Sequence, residues 1–151
     1  EGFAIRFSEH DVRSMGRTAS GVKGKTVSAQ EIIVAGAIIN GTEEELAQKT
    51  ILTIAEEGYG KRTKLSDYRL QSRGGKGITN LKKNEKTGKI ADVKIVDNDS
   101  EIMLITSEGT LIRTVVSSIS VIGRATSGVR IMKVRENEKV ASTVKITPEI
   151  E

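Results

Sequence analysis

The sequence has no cysteine, no tryptophan and one histidine, and only 3% of its residues are aromatic. Without cysteine the chain can form neither a disulfide nor a thiolate metal site, which fits a cytosolic protein. A single histidine, His10, offers no histidine cluster for a metal ion and no catalytic triad. We therefore predict no catalytic site within this chain and expect His10 to lie in a surface loop.

Long apolar runs are also missing. No run of eighteen apolar residues occurs, so the sequence predicts no membrane-spanning helix. The first residues are mixed and charged, unlike the apolar core of a signal peptide. The hydrophobic fraction of 36% rests on Ile, Val, Ala and Leu, which is enough apolar side chain for packed β-sheets.

One pattern occurs three times, at residues 1–22, 57–78 and 108–129. Five positions are identical in all copies: a Glu-Gly pair, a first arginine, a second arginine and a closing glycine. In that order, the copies hold Glu1-Gly2, Arg6, Arg17 and Gly21; Glu57-Gly58, Arg62, Arg73 and Gly77; and Glu108-Gly109, Arg113, Arg124 and Gly128. A repeat of roughly fifty residues indicates an array of similar units, each too small to bury a core alone.

Each unit is predicted to hold about four short strands and no long helix. Residues 51–55 and 61–63 flank a Glu-Gly turn, and residues 102–106 and 111–114 repeat that hairpin pattern. Several short strands in each period favour blades over helical repeats. The sequence thus predicts an all-β, propeller-like array of about three four-stranded blades, with units at about residues 1–50, 51–101 and 102–151.

The first unit calls for three separate predictions. Residues 31–39 are β-branched and are predicted to form a buried strand. Residues 42–49 contain a possible capping box, Thr42 with Glu45, but they align with turn residues in unit 2, so we predict a loop. The strand that would pair with residues 4–7 would precede residue 1, and we expect another segment or molecule to complete that hairpin.

Charge is distributed unevenly along each unit. Most of the 24 Lys and Arg residues fall in the leading halves of the units, and most of the 20 Asp and Glu residues fall in the trailing halves. Stacked units would present a basic stripe that recurs once per unit, which suits a polyanion. The chain has few aromatic side chains on which unpaired bases could stack, which disfavours single-stranded nucleic acid as the ligand. We therefore predict that it binds the phosphate backbone of a duplex, with an affinity that falls steeply as the salt concentration rises.

Two other interpretations of these charges remain open. The first arginines could instead pair with the glutamates of their own Glu-Gly turns and serve only the structure. The acidic trailing halves could dock a protein partner, in which case the chain would be an interaction scaffold that does not bind DNA.

The strongest local signal is the segment 71–77, Gln-Ser-Arg-Gly-Gly-Lys-Gly. Its glycines allow close backbone approach to phosphate, and Arg73 and Lys76 supply charge. It does not match a nucleotide-binding loop, because G-x-x-x-x-G-K-[ST] and its strand–loop–helix context are both absent.

Several segments resemble the C-terminal domain of bacterial DNA gyrase A. They are residues 12–24 (VRSMGRTASGVKG), 56–68 (EEGYGKRTKLSDY), 108–114 (EGTLIRT) and 123–129 (GRATSGV), which are similar to its last three blades. The resemblance implies a β-pinwheel, with duplex DNA wrapped around the outer rim to support negative supercoiling. It also implies that ATP and Mg²⁺ belong to the holoenzyme and not to this chain. The implied partners are duplex DNA, the rest of gyrase A and gyrase B, in the bacterial cytoplasm at the nucleoid.

One departure limits what the resemblance implies. The family's Gln-Arg-Arg-Gly-Gly-Lys-Gly box lies in its first blade, whereas residues 71–77 carry Ser72 in place of the first Arg and have the flanks of a later blade. We expect only rim contact from this segment. The corresponding domain of topoisomerase IV is the nearest alternative. The predicted DNA-binding residues are Arg17, Lys23, Lys61, Arg62, Lys64, Arg73, Lys76, Arg113, Arg124 and Arg130.

Overall fold

The computed structural model describes residues 1–146, which form nine β-strands, one α-helix and three 3₁₀ helices. The strands are β1 (Phe3–Ala4), β2 (Thr50–Ala55), β3 (Tyr59–Lys64), β4 (Ile78–Thr79), β5 (Ile90–Val96), β6 (Glu101–Thr106), β7 (Leu111–Val115), β8 (Val129–Arg130) and β9 (Val140–Ile146). The helix α1 spans Glu43–Gln48, and the 3₁₀ helices span Glu9–Asp11, Leu65–Asp67 and Val116–Ser118. The regular structure of the described residues is mostly β-strand with a single short α-helix, which confirms the all-β prediction.

The strands form three antiparallel sheets, in the orders β5-β2-β3-β8, β7-β6-β9 and β1-β4. Both predicted hairpins are present: β2 pairs with β3, and β6 pairs with β7. The outer strand of a hairpin pairs with the next unit, because β4 of unit 2 lies beside β1 and β8 of unit 3 lies beside β3. A complete blade therefore combines three strands of one unit with a fourth from the next, in a propeller-like array that does not close within residues 1–146.

The main hydrophobic core lies between units 2 and 3. On β6 every second side chain is buried, as expected for a strand with one face against a core. The cluster consists of Leu52, Ile54, Val96, Ile102, Leu104, Val116, Ile119, Met132 and Val140. Neither unit could bury these side chains alone, so the two sheets depend on each other.

The predicted buried strand at residues 31–39 is wrong. No strand forms there, and Ile32 and Ile38 are 80% and 86% exposed. The corresponding strands β5 and β9 pair with β2 and β6, which precede the Glu-Gly turns of units 2 and 3. The described chain offers no such strand to residues 31–39. A β-branched segment without a ladder partner has no hydrogen bonds to hold it extended.

The predicted loop at residues 42–49 is also wrong, because α1 forms there. The Thr42 side chain accepts a hydrogen bond from the Glu45 backbone N–H at 3.3 Å, and Glu45 Oε2 accepts one from the Thr42 N–H at 2.7 Å. This capping box satisfies two free donors at the helix start. Local capping thus prevailed over the alignment with unit 2. No helix in the described range is long and apolar enough to cross a membrane.

The opening glycines allow a direct test of how tightly neighbouring units approach. Gly58 and Gly109 have nearly the same φ, +81° and +82°, but a Cβ at Gly58 would overlap the Met132 carbonyl, whereas one at Gly109 would meet nothing within 4 Å. Gly109→Ala should lower the free energy of unfolding by about 1–2 kcal/mol, the cost of holding alanine in a left-handed backbone conformation. Gly58→Ala should lose clearly more free energy of unfolding, measured by urea denaturation. Equal losses would show that the close contact between units 2 and 3 contributes nothing.

Candidate functional site: the arginine loops

Each unit carries a glycine-rich loop around its second arginine. We call residues 16–21, 72–77 and 123–128 the first, second and third arginine loops. Each ends in a closing glycine with positive φ: +81° at Gly21, +84° at Gly77 and +81° at Gly128. A Cβ at Gly77 or Gly128 would overlap the carbonyl of Ala4 or Gly60 in the preceding unit. Only glycine lets these loops approach their neighbours so closely.

Backbone hydrogen bonds hold the second and third loops against the unit before them, and we call each such contact between successive units a joint. Gly74 N–H donates to Gly24 O at 2.8 Å, and Thr26 N–H donates to Gly75 O at 2.9 Å. At the next joint Lys82 N–H donates to Thr126 O at 3.0 Å. The same contact therefore recurs at both joints, and it brings the second and third arginine loops against the segment that follows the previous loop.

The second arginines take part in these joints. Arg73 Nη1 donates to Lys23 O at 2.6 Å, and its Nε donates to Asp11 O at 3.0 Å. At the equivalent position of the next joint, Arg124 Nη1 donates to Thr79 O at 2.8 Å. Both side chains remain partly exposed, and Arg17 of the first loop is exposed. Arg73 and Arg124 thus hold a neighbouring unit and still present guanidinium surface to solvent.

The first arginines are joint residues of a different kind. Arg6 donates to the carbonyls of Leu65 and Tyr68 at 3.3 and 3.1 Å, where the 3₁₀ helix of unit 2 ends. Arg62, only 6% exposed, donates from Nε to Ile119 O at 2.8 Å in unit 3. Burial lowers the pKa of Arg62. In both cases the cation satisfies carbonyls of the next unit.

The alternative that first arginines pair with the glutamates of their own turns is wrong. Glu1 pairs with Lys83 of unit 2 at 3.5 Å, and Glu57 pairs with Lys139 of unit 3. Arg113 pairs with Glu101 across the β6–β7 hairpin. The recurring glutamates of units 1 and 2 therefore also reach the following unit.

Lys61 is fully buried, with 0% of its surface exposed. Its ammonium donates to the carbonyls of Gly123, Arg124 and Thr126 and to the Thr126 hydroxyl, at 2.9 Å for Gly123 and 3.1 Å for the Thr126 carbonyl. Burial, with a smaller contribution from the Arg124 charge, lowers the pKa of Lys61 to about 8. Lys61 therefore clamps the third arginine loop from beneath and has no surface to offer a phosphate.

The predicted DNA-binding residues thus fall into three groups. Lys61 and Arg62 are buried and bonded within the chain, so we remove them from the candidate surface. Arg73 and Arg124 are partly exposed joint residues. The exposed side chains are those of Arg17, Lys23, Lys64, Lys76, Arg113 and Arg130. Arg130 stacks over the Tyr59 ring at 5.4 Å and donates to its hydroxyl at 3.2 Å.

Two features of the site are not among the sequence-based predictions: the exposed cation Lys82, and the alignment that indicates a buried position for Lys61. Lys82 is exposed, and its backbone bonds the third arginine loop through both N–H and C=O, so it adds a cation beside that loop. Lys61 aligns with Ile5 and Ile112 in the other units. An apolar residue at that position in two copies indicates a side chain that points inward.

Acidic and potential metal-binding groups are sparse around the loops. Asp67 lines an open crevice beside the third loop, together with Gly123, Arg124, Ala125 and Thr126. His10 is exposed in the first 3₁₀ helix. Within residues 1–146 no three His, Cys, Asp or Glu residues are grouped as metal ligands would be.

Comparison with known proteins gives consistent matches. The family model described as "DNA gyrase C-terminal domain, beta-propeller" matches residues 1–40, 49–97 and 100–147, one stretch in each unit. DNA gyrase A of Ureaplasma parvum serovar 3 is 42% identical over 141 residues, which cover 93% of this chain and 16% of that protein. The chain thus spans only about a sixth of the length of that relative.

Two solved structures share the fold. The structure of the DNA gyrase A C-terminal domain has a TM-score of 0.82 and 28% identity, covering 97% of this chain and 48% of that one. The crystal structure of the C-terminal domain of DNA topoisomerase IV has a TM-score of 0.86 and 25% identity, covering 96% and 44%. Backbone similarity alone does not separate these two proteins.

Arg73 and Lys76, three residues apart in the same loop, should differ in their effect on stability. Arg73→Gln removes two hydrogen bonds that join units 1 and 2, so we expect a loss of about 1–2 kcal/mol of unfolding free energy for this partly exposed cation. Lys76→Gln removes an equal charge from an exposed side chain and should stay within about 0.5 kcal/mol of the parent. Urea denaturation measures both variants. Similar values would mean that Arg73 does not hold the joint.

The buried ammonium of Lys61 should produce a characteristic alkaline stability profile. Because its folded pKa of about 8 lies below the ordinary value of 10.5, the unfolded chain binds the proton more tightly between these pH values. Unfolding free energy should therefore rise from pH 8 toward pH 10. Above pH 10 the Tyr68 phenol, whose pKa burial raises to about 12, should act in the opposite direction. In Lys61→Met the rise from pH 8 should be absent, and a profile parallel to that of the parent chain would contradict this.

Proposed function

The chain belongs to the DNA gyrase C-terminal domain family, and from its exposed arginine loops we infer that it binds duplex DNA without cutting it. The family match covers most of the chain and one stretch of every unit. The observation that carries the proposal is the recurrence of a solvent-facing basic loop in each unit, with the second and third loops held against the previous unit by equivalent contacts. Duplex DNA has the matching property of an evenly charged backbone.

The proposed contact surface is smaller than the sequence suggests. It consists of exposed cations on or beside the loops, supplemented by the partly exposed Arg73 and Arg124. The loop cations are Arg17, Lys23, Lys76, Lys82 and Arg130. Lys64 and Arg113, on the strands β3 and β7, remain candidates from their exposure. These side chains would contact phosphates and read little sequence.

We further propose that the duplex bends along the array. Loops carried by successive units cannot all contact a straight duplex if the units turn relative to one another, so contacts accumulate only as the DNA follows the units. Bending 20–30 bp by 40–90° costs on the order of 1–6 kcal/mol. A few charge-assisted phosphate contacts of about 1.5–3 kcal/mol each could offset that cost.

The wider role is that of a DNA-wrapping part of DNA gyrase A, in which bending supports ATP-dependent negative supercoiling. In this proposal the ATP, Mg²⁺ and strand-cleavage chemistry belong to the rest of gyrase A and to gyrase B. The place of action would be the bacterial cytoplasm, at the nucleoid. The family match favours gyrase over the topoisomerase IV alternative.

Fluorescence anisotropy with a short labelled duplex, measured across a salt series, tests the binding proposal. Each phosphate contact contributes about −0.9 to the slope of log K against log salt. Lys76→Gln should weaken binding at low salt and reduce that slope by about one contact. The matched control is Lys94→Gln on β5, at the sheet edge opposite β8, where Lys94 pairs with Asp92 at 3.2 Å.

The controls define the contradicting outcomes. Equal effects of Lys76→Gln and Lys94→Gln would remove the arginine loops as the contact surface. Absence of duplex binding at low salt would overturn the function and favour the scaffold interpretation. The same duplex labelled at both ends tests bending, because energy transfer between the labels should increase on binding if the DNA follows the array.

A further inference from the structure

Lys61 makes its hydrogen bonds at the joint between units 2 and 3, beneath the third arginine loop. Three carbonyls and one hydroxyl, from Gly123, Arg124 and Thr126, converge on its ammonium. Converging carbonyl oxygens repel one another unless a donor lies between them. A lysine ammonium provides three N–H donors and a full charge for this purpose.

At the joint between units 1 and 2, the second arginine loop is bonded to the preceding unit without a lysine. There Thr26 Oγ1 donates to Gly74 O at 2.6 Å and Gly74 N–H donates to Gly24 O at 2.8 Å, while the residue equivalent to Lys61 is Ile5.

At the joint between units 2 and 3, Thr26 is replaced by Lys82, which has no hydroxyl, and Gly24 is replaced by Asn80. The Asn80 side chain instead bonds Thr53 and Tyr68 in the interior. In the described range, neither the hydroxyl bond of Thr26 nor the N–H bond to the Gly24 carbonyl has an equivalent at this joint, although the backbone bond from the Thr26 position recurs through Lys82. Gly123 O also accepts from the Thr126 hydroxyl at 2.7 Å, and Thr126 O also accepts from the Lys82 N–H at 3.0 Å. In the described range, the Arg124 carbonyl accepts a hydrogen bond from Lys61 alone.

We propose that Lys61 is a positioning residue that fixes the third arginine loop and thereby orients Arg124 toward a DNA phosphate. The orientation toward phosphate rests on the proposed function, whereas the fixing of the loop does not. Lys61 itself, with no exposed surface, does not touch the DNA. The two cations lie close enough for the Arg124 charge to act on Lys61, and a bound phosphate would relieve that repulsion.

Tryptic cleavage tests the loop without DNA. In Lys61→Met, cleavage after Arg124 relative to cleavage after Arg73 should increase about tenfold, which corresponds to losing roughly one net hydrogen bond of 1.4 kcal/mol. Arg73 is the internal reference because it occupies the same loop position at the joint without a lysine. Global destabilisation would raise both rates, so the ratio reports on the third loop alone.

The matched control is Lys64→Met, which removes the same side chain from an exposed position on the same strand. Its cleavage ratio should equal that of the parent chain. Lys61→Arg, which keeps a cationic donor, should stay close to the parent. If Lys61→Met does not fold, Lys61→Gln takes its place, with an intermediate ratio expected. A parental ratio in the folded Lys61 variant would overturn the proposal.

The DNA arm of the experiment distinguishes this inference from the proposed function. Lys61→Met should reduce the salt slope of duplex binding by about 0.9, one phosphate contact, although the substituted side chain is buried. If the cleavage ratio changes but the salt slope does not, Lys61 fixes the third arginine loop, and the claim that it orients Arg124 toward a DNA phosphate is wrong. If the parent chain binds no duplex, the proposed function fails, and the cleavage ratio still decides whether Lys61 fixes the loop.

Discussion

Backbone carbonyls at the edges of neighbouring units accept hydrogen bonds that cross from one unit to the next, and the array depends on these bonds. Arg6 and Arg62 reach forward to the end of the next 3₁₀ helix, and Arg73 and Arg124 reach back to the previous unit. The carbonyls of Gly2 and Gly58 each accept two N–H groups from the next unit, at Gly2 from Asn80 and Leu81. Each of the five identical positions therefore serves a joint in the two units that have the required neighbour within the described chain. This explains their identity without reference to a ligand.

That constraint divides the cations into two populations. Those that recur in every unit are largely committed to carbonyls, and a buried cation is stable only with such partners. Those that vary between units, such as Lys23, Lys76 and Lys82, lie at the surface beside the joints. Recurrence across the repeat thus marks architecture, while the exposed cations that the proposed function assigns to a polyanion lie mainly at positions that recurrence does not select.

Features that depend on residues close together in the sequence could be predicted, whereas features that depend on distant partners could not. The hairpins could be predicted because Gly58 and Gly109 mark turns between adjacent apolar segments. The helix α1 is also encoded locally, by Thr42 and Glu45, although the alignment of this segment with turn residues of unit 2 predicts a loop. Residues 31–39 show the opposite limit, since a strand needs a ladder partner that its own sequence cannot supply. The partners of the recurring arginines could not be predicted, because any residue can offer the backbone carbonyl that accepts from a distant arginine.

The joints also determine what a duplex would meet. Because Arg73 and Arg124 bond the preceding unit, the spacing of the basic loops is the spacing of the units themselves. The loops carry like charges that repel one another, and this repulsion works against the hydrogen bonds that hold the units together. A phosphate backbone lying across the loops would neutralise the repulsion at each joint. DNA binding and the association of neighbouring units would then stabilise each other. The path of the bound DNA would follow the spacing of the loops, which the joints fix in the absence of DNA.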